Sequence, residues 1–301
     1  MENLLPLSAR FRHIVVARGT RSGRRIVDCA APAPSSELSP EAPSSVPGED
    51  QLFCQWLFDQ VGLDAKNYRA ETLQRRVTAC LRELRVRTIA QARRELELKP
   101  ALSTTAVSTI LVGVTTFFRD PAVFDALREQ LPALAANRLG VNVWSVGCSN
   151  GEELYSMALL LAELGLLRNS YLLGTDCRAD AIANARAASY DAMSMKNVPS
   201  ALRDRYFFRE NQRWRLQPSV SVTARFRIED MLRVQQPGIW DVIVCRNTTM
   251  YMRPEVTTAL WERFETSLRA GGLLVLGKAE RPLGAKRLTL IAPCVYRKLR
   301  A

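Results

Sequence analysis

Residues 141–164 read VNVWSVGCSNGEELYSMALLLAEL, and the pattern within this stretch determines the fold class. The run up to Val146 is short and apolar, as in a buried strand, and the run after Gly151 has the apolar spacing of a helix. Between them, GCSNG places Gly147 and Gly151 where a tight turn lets a ligand approach the backbone. The GxxxG spacing differs from the dinucleotide and P-loop fingerprints, so a plain tight turn explains it equally well.

The alternation continues towards the C-terminus. Further strand-like runs are YLLGTD (171–176), WDVIVCRN (240–247) and GGLLVLGK (271–278), and helical patterns follow the first two of them. The final RLTLIAPCVYRKL (287–299) predicts two short strands that close an edge of the sheet. Strands that alternate with helices in this way predict an α/β fold with a doubly wound, Rossmann-like sheet.

Two segments depart from this alternation. Residues 205–226 mix aromatic and β-branched side chains around one Asn-Gln pair and contain no glycine, which predicts a small antiparallel β insert. Residues 1–49 form an Arg-rich stretch and then a run dense in Pro, Ser and Ala, which predicts a disordered tail. The chain thus divides into this tail, a helical domain with its linker at 50–125, and a domain at 126–301 that contains the insert.

The segment from Gln51 to about Val112 has helical periodicity, with one apolar stripe that includes Leu73, Val77 and Cys80. Five arginines flank this stripe: Arg69, Arg75, Arg76, Arg82 and Arg85. A solvated charged face explains them, and so does a surface that docks on an acidic helix. The sequence therefore predicts an all-helical N-terminal domain with a basic face.

Composition excludes several function classes. His13 is the only histidine of the 301 residues, so catalysis by an imidazole base is excluded. The seven cysteines are scattered and unpaired in sequence, and we expect neither disulfides nor a metal site. No apolar run is long enough to cross a bilayer, which favours a cytoplasmic protein without membrane insertion. The net charge of +12 favours acidic partners, whether nucleic acid, an anionic membrane face or an acidic protein.

Asp176 adds to the evidence from the glycine turn. It ends the strand YLLGTD, 25 residues after Gly151, where an acidic side chain in a doubly wound sheet commonly accepts hydrogen bonds from ribose hydroxyls. A helix cap is the alternative interpretation of Asp176 alone. The turn and the carboxylate together favour a nucleoside ligand.

Five motifs, in order along the chain, resemble those of the CheR family of chemotaxis receptor methyltransferases. They are TTFFRD (115–120), WSVGCSNGEELYS (144–156), LGTDCRADAIANAR (173–186), DVIVCRNTTMYM (241–252) and GGLLVLGKAE (271–280). The likeness covers roughly residues 50–300 and includes the helical segment and the β insert. It implies transfer of a methyl group from S-adenosylmethionine to receptor glutamates, with S-adenosylhomocysteine as the product and no metal.

The resemblance also implies roles for individual residues. Thr115 and Arg119 would border the methyl donor, with Arg119 near the transferring methyl, and Tyr251 would face the target carboxylate. The other implied donor-site residues are Gly147, Gly151, Glu153, Asp176, Asp230, Met231, Arg246 and Asn247. Glu153 and Asp176 would hold the methionine and ribose portions, and Asp230 and Met231 would flank the adenine. A structural salt bridge for Arg246 and a plug of the sheet end for Tyr251 are the alternatives.

Several positions depart from the family pattern. Gly113 stands where the family usually has Asn, and Lys278 stands where it has His. The insert lacks the glycine-containing loop with which some members grip a receptor tether, so we expect methylation without a C-terminal pentapeptide tether. We expect an active monomer that docks on a chemoreceptor's helical region through the basic helices and binds no nucleic acid. A donor-binding signalling module without catalysis and a nucleic-acid methyltransferase are the competing hypotheses.

Overall fold

The structure is a computed structural model that describes residues 48–300 except 112, 114, 137, 139 and 234–239. The predicted tail at 1–49, apart from its last two residues, lies outside this part of the chain. No helix in the described part is long and apolar enough to cross a membrane.

Four helices precede the sheet: α1 (Glu49–Gln60), α2 (Ala70–Glu83), α3 (Ile89–Leu98) and α4 (Leu102–Ile110). The later helices are α5 (Pro121–Ala135), α6 (Glu152–Glu163), α7 (Ala179–Ala187), α8 (Ser200–Tyr206), α9 (Pro218–Ser221) and α10 (Pro254–Ser267). The strands are β1 (Asn142–Val146), β2 (Tyr171–Asp176), β3 (Ser189–Tyr190), β4 (Phe207–Glu210), β5 (Arg213–Leu216), β6 (Ala224–Ile228), β7 (Trp240–Cys245), β8 (Leu268–Leu276), β9 (Leu288–Ala292) and β10 (Val295–Lys298). The helices and strands expected from periodicity are thus present.

The main sheet has seven strands in the order β6-β2-β1-β7-β8-β10-β9. The first five are parallel to their neighbours, and β10 and β9 form the antiparallel edge that the C-terminal sequence predicted. Because β2 and β7 lie on opposite sides of β1, the strand order reverses there, and a crevice opens beyond the carboxyl ends of these strands. The Rossmann-like α/β class is confirmed.

Buried side chains cover both faces of this sheet. One cluster joins α5 and α6 to the sheet through residues such as Phe124, Leu159 and Val143. On the other face, Trp144 packs against Trp240, with ring centroids 5.5 Å apart, and against Phe264 of α10. Strands that are buried on both faces have near-continuous apolar sequences, which is why WDVIVC shows no polar alternation apart from Asp241.

The four N-terminal helices pack around their own hydrophobic cluster, to which the segment after β7 contributes Met252. Tyr68 forms an antiparallel bridge with Met252, and the backbone N–H of Arg69 donates to the carbonyl of Tyr251. The side chain of Arg69 donates to the Met252 carbonyl and that of Arg76 to the Thr109 carbonyl. The helical layer is therefore fastened to the segment that follows β7.

The antiparallel insert is present with different boundaries from those predicted. Its three strands have the order β3-β5-β4, so Ser189–Tyr190 joins it from outside the expected range 205–226. Conversely, β6 pairs with β2 as the edge of the main sheet. The hairpin between β4 and β5 turns through Asn211 and Gln212, both with positive φ, in place of a glycine.

Candidate active site

A cavity of about 360 Å³ lies at the carboxyl ends of β1, β2 and β7. Tyr68 and Leu111 from the helical layer line one side of it, opposite the sheet. Its size is typical of a small-molecule site. The reversal of strand order produces the crevice, and the helical layer encloses it.

The glycine turn after β1 forms part of the wall. Gly147 has φ of +67°, and a Cβ there would lie 2.8 Å from the hydroxyl of Thr248, so only glycine lets these two loops approach. Gly151, with φ of +90°, serves packing instead, because a Cβ there would press on Ala185, Phe226 and Tyr155.

Asp176 lies at the end of β2, is 5% exposed and accepts four hydrogen bonds. Its Oδ2 accepts from the backbone of Ser149 at 2.8 Å and from Nη2 of Arg178 at 3.2 Å. Its Oδ1 accepts from the backbone N–H and from Nε of Arg178, both at 3.0 Å. The carboxylate thus both fixes the glycine turn and holds a guanidinium in the cavity wall.

A chain of ion pairs includes two of the lining residues, Arg246 and Glu153. The buried guanidinium of Arg246 lies 2.6 Å from Asp120 and 3.7 Å from Glu153, and Lys278 lies 2.6 Å from the other oxygen of Asp120. Burial raises the pKa of Glu153, although the charge of Arg246 opposes this. Burial would also raise the pKa of Asp120, but the hydrogen bond from Lys278 and the charge of Arg246 lower it. Arg246 is therefore an ion-pair partner that also lines the cavity.

The segment after β7 carries Asn247 and Tyr251 and is held by Glu280. This carboxylate is 4% exposed and accepts hydrogen bonds from the backbones of Asn247, Thr248, Thr249 and Gly277, at 2.8–3.0 Å, and from the Thr249 hydroxyl. Asn247 has φ of +58°, a conformation that Asn tolerates better than most residues. One buried acidic side chain thus sets the path of a whole loop.

The TTFFRD motif brings Thr115 and Arg119 to the cavity while its aromatic pair is buried beneath it. Phe117 and Phe118 are both 0% exposed, as their apolar area favours. Phe118 has φ of +47°, and its N–H donates to the hydroxyl of Ser156 on α6. The backbone with positive φ at Phe118 places the two aromatic side chains in the core and lets Thr115 and Arg119, on either side of them, reach the cavity.

Most of the residues singled out from the sequence meet at this cavity. Its lining includes Thr115, Arg119, Gly147, Glu153, Asp176, Met231, Arg246, Asn247 and Tyr251. Gly151 and Asp230 are not among the lining residues. Asp230 caps its own turn by accepting from the Leu232 N–H at 2.9 Å, and Glu229 lines the cavity beside Met231.

Among the residues at or near the cavity that were not singled out from the sequence, Tyr68, Glu229, Arg178 and Glu280 make the contacts described above. Tyr68 belongs to a helical segment whose packing against the sheet has no local sequence signal, and Glu229 adjoins the predicted pair. Arg178 lies two residues after Asp176, a spacing at which a side chain can fold back onto the carboxylate. Glu280 lies within the quoted motif GGLLVLGKAE, which was its only signal.

The lining fits S-adenosylmethionine. The side-chain oxygen of Asn247 is buried and has no hydrogen-bond partner among the described residues, so it can accept from a ligand. Asp176 and Glu153 supply carboxylates, and Arg119 supplies a guanidinium, for the ribose and amino-acid ends of such a molecule. Apolar contact is available from Met231, beside Tyr68.

Comparisons with known proteins agree with this site. A family model for the CheR methyltransferase SAM-binding domain matches residues 113–292. A chemotaxis protein methyltransferase of Listeria monocytogenes is 30% identical over 225 residues, 74% of this chain and 86% of that protein. Chemotaxis protein methyltransferase 1 of Vibrio cholerae is 28% identical over 243 residues, 77% of this chain and 88% of that protein. The chain belongs to the CheR family of S-adenosylmethionine-dependent methyltransferases.

Proposed function

We propose that this enzyme transfers the methyl group of S-adenosylmethionine to glutamate side chains in the helical cytoplasmic region of a chemoreceptor. The main support is the cavity where Arg119 and Tyr251 meet Glu153 and Asp176 under a helical layer. Its relatives in Listeria and Vibrio carry the name of chemotaxis methyltransferases. A cytoplasmic, monomeric enzyme that uses no metal is part of the same proposal.

The residues of the cavity divide by chemistry. Asp176 and Glu153 hold the ribose and amino-acid portions of the donor, Thr115 and Asn247 add hydrogen bonds, and Met231 lies against the adenine. Arg246 keeps Glu153 in place through the ion pair at 3.7 Å. Gly147 allows the turn after β1 to lie close to Thr248. Gly151 and Asp230 act through the backbone shapes that they set.

When bound, the donor supplies a methyl group on a positively charged sulfur, which an ionised carboxylate attacks without a general base. The protein has to align the substrate carboxylate with the methyl group and to exclude water. Arg119 and Tyr251 orient the substrate carboxylate, and the helical layer over the cavity keeps water out. The absence of histidine from the described part of the chain costs this reaction nothing.

We assign receptor docking to the basic face of α2. Arg75 and Arg82 are exposed and seven residues apart, so they lie on the same side of the helix, and Arg85 follows its end. Arg69 and Arg76 have carbonyl partners within the protein, at Met252 and Thr109. We therefore divide the basic set into three docking residues and two that fasten the helical domain.

The domain division belongs to this proposal: a tail at 1–49, a docking domain with its linker at 50–125 and a methyltransferase domain at 126–301. The turn at Asn211 and Gln212 leaves no glycine loop for a receptor tether, so we propose that the enzyme acts without one. Tight and specific binding of an isolated tether pentapeptide would contradict this part.

The activity is tested with tritiated S-adenosylmethionine, the purified chain and a chemoreceptor cytoplasmic fragment. We expect label in base-labile methyl esters, and we expect Arg119→Ala to lower turnover by about 100-fold, because alignment contributes several kcal/mol. Donor binding without any label on receptors would leave the competing hypothesis, a signalling module that binds the donor and transfers nothing. Strongly salt-dependent binding to nucleic acid would support the third hypothesis.

The docking surface is tested with the double variant Arg75→Glu/Arg82→Glu. We expect a rise of about tenfold or more in the KM for receptor and unchanged affinity for the donor, because rim charges steer association. The matched control is Arg168→Glu, an exposed charge just before the amino end of β2, whereas the cavity and the helical layer lie at the carboxyl ends of the strands. Equal effects of the two charge reversals would contradict the assignment.

A further inference from the structure

The carboxylate of Asp176 is 5% exposed, and each of its two oxygens already accepts two hydrogen bonds. A carboxylate offers about four lone-pair sites, and Asp176 uses four: two for backbone N–H groups and two for the guanidinium of Arg178. The backbone bonds belong to the fold of the turn. Only the guanidinium can leave without unfolding a segment, because it is the far end of a flexible side chain.

Gly113 makes room for this guanidinium. A Cβ at Gly113 would lie 2.4 Å from both Nη1 and Nη2 of Arg178, so any other residue there forces the guanidinium to move. Both residues line the cavity, and Arg178 is 9% exposed. The position of the guanidinium therefore depends on the missing side chain at 113.

A second acidic group is available when Arg178 leaves Asp176. Asp180 lies in the first turn of α7, two residues beyond Arg178, and holds the hydroxyl of Ser108 at 2.6 Å. Burial alone would lower the pKa of Arg178, but the charges of Asp176 and Asp180 raise it. The arginine thus stays charged and has a second acidic group nearby when it leaves Asp176.

We infer that the ion pair between Arg178 and Asp176 is a latch, which must open before Asp176 can accept the hydroxyls of the donor's ribose. Arg178 then sets the affinity for the donor and for its demethylated product, without itself acting on the methyl group. This inference rests on the proposed place of the donor in the cavity. It concerns donor binding alone and is independent of which protein is methylated.

The size of the effect follows from the population of the open state. A latch that is closed nine-tenths of the time weakens the apparent affinity about tenfold relative to an open site. Arg178→Ala removes the latch. In Gly113→Ala the added methyl group displaces the guanidinium, although Arg178 stays in the chain. Both variants therefore separate the guanidinium from Asp176, one by removing it and the other by steric contact.

Isothermal titration calorimetry of the full chain with S-adenosylhomocysteine measures the effect without turnover. We expect Arg178→Ala and Gly113→Ala each to lower the Kd about tenfold, and the double variant to bind no more tightly than either. The matched control is Arg138→Ala, which breaks an Arg–Asp pair of 3.0 Å with Asp241, outside the cavity lining. The control should lower the Tm and leave the Kd unchanged.

The latch would be overturned if the wild-type chain bound S-adenosylhomocysteine and either Arg178→Ala or Gly113→Ala bound it no more tightly. That result would leave the proposed function intact. Additive tightening in the double variant would also overturn it, because the two substitutions would then act on different events. No binding by the wild-type chain would overturn the proposed donor site and the latch together.

Discussion

Replacing Glu280 by alanine should loosen the loop that carries Asn247 and Tyr251. The carboxylate accepts from four backbone N–H groups and one hydroxyl, all at 2.8–3.0 Å and with Glu280 4% exposed. Hydrogen bonds to a charged group are each worth about 1.5–3 kcal/mol, but bonds to one acceptor are lost together and water can enter the space left. We therefore expect a loss of about 3–5 kcal/mol in the free energy of unfolding.

At about 2–4 °C per kcal/mol for a domain of this size, a loss of about 4 kcal/mol lowers the Tm by about 10 °C. Glu280→Gln keeps the size of the side chain but turns an amide N–H towards backbone donors, and we expect about half the loss. Turnover should fall by more than the loss of folded protein explains, since Tyr251 follows the segment that Glu280 holds. Thermal unfolding and methyl transfer, measured on the same preparations, check both expectations.

The matched control is Glu163→Gln at the far end of α6. Glu163 accepts from the hydroxyl of Tyr206 at 2.8 Å and from the exposed Arg205 at 3.1 Å, and the amide oxygen of a glutamine can still accept from both. It should cost about 1 kcal/mol and leave turnover unchanged. A Glu280→Ala variant with the Tm and turnover of the wild type would refute the role of Glu280 in holding the loop after β7.

Three further predictions concern Glu152 at the start of α6, Gly151 in the preceding turn, and Tyr251 at the cavity. Burial raises the pKa of Glu152 from 4.5 to about 7, so the native state keeps a proton that the unfolded chain releases. The free energy of unfolding therefore falls as pH rises from about 4.5 past 7. Glu152→Gln should remove this pH dependence and gain about 2–3 kcal/mol at pH 8, and identical urea-unfolding curves of the two proteins at every pH would contradict it. Gly151→Ala should lower the free energy of unfolding by about 1–2 kcal/mol because φ is +90° and the methyl would meet Ala185 at 3.0 Å, and an unchanged urea midpoint would argue against the packing role. Tyr251→Phe should lower kcat about tenfold by removing one hydrogen bond to the substrate carboxylate. The Kd for the donor, measured by calorimetry, should not change. A raised Kd with unchanged kcat would instead mean that Tyr251 contacts the donor.

Local pattern was sufficient for much of the molecule. The glycine turn after VNVWSV, the alternation of strands and helices, and the C-terminal hairpin all follow from periodicity, because each is set by residues close in the chain. The boundaries of the insert did not follow. Ser189–Tyr190 pairs with β5 more than 20 residues away, and β6 joins the main sheet, and neither pairing has a local sequence signal.

The candidate site divides in the same way. Asp176 could be named from its place at the end of a predicted strand, whereas Arg119 and Tyr251 could be named only because their motifs resemble those of the family. Tyr68 could not, because it reaches the cavity only through the bridge to Met252, 184 residues later in the chain. Gly113 could be seen to depart from the family, but its consequence depends on a guanidinium 65 positions away.

By itself, the sequence determined the α/β class, the methyltransferase family and many of the residues that line the cavity, since these rest on short-range pattern and on motifs kept in order. Only the tertiary structure decided which charges meet: Arg178 with Asp176, Arg246 with Asp120 and Glu153, and Glu280 with the loop after β7. Spacing along a chain does not specify a distance between side chains on different elements. Ionic and hydrogen-bond energies depend on that distance and on burial, and both exist only after the chain has folded.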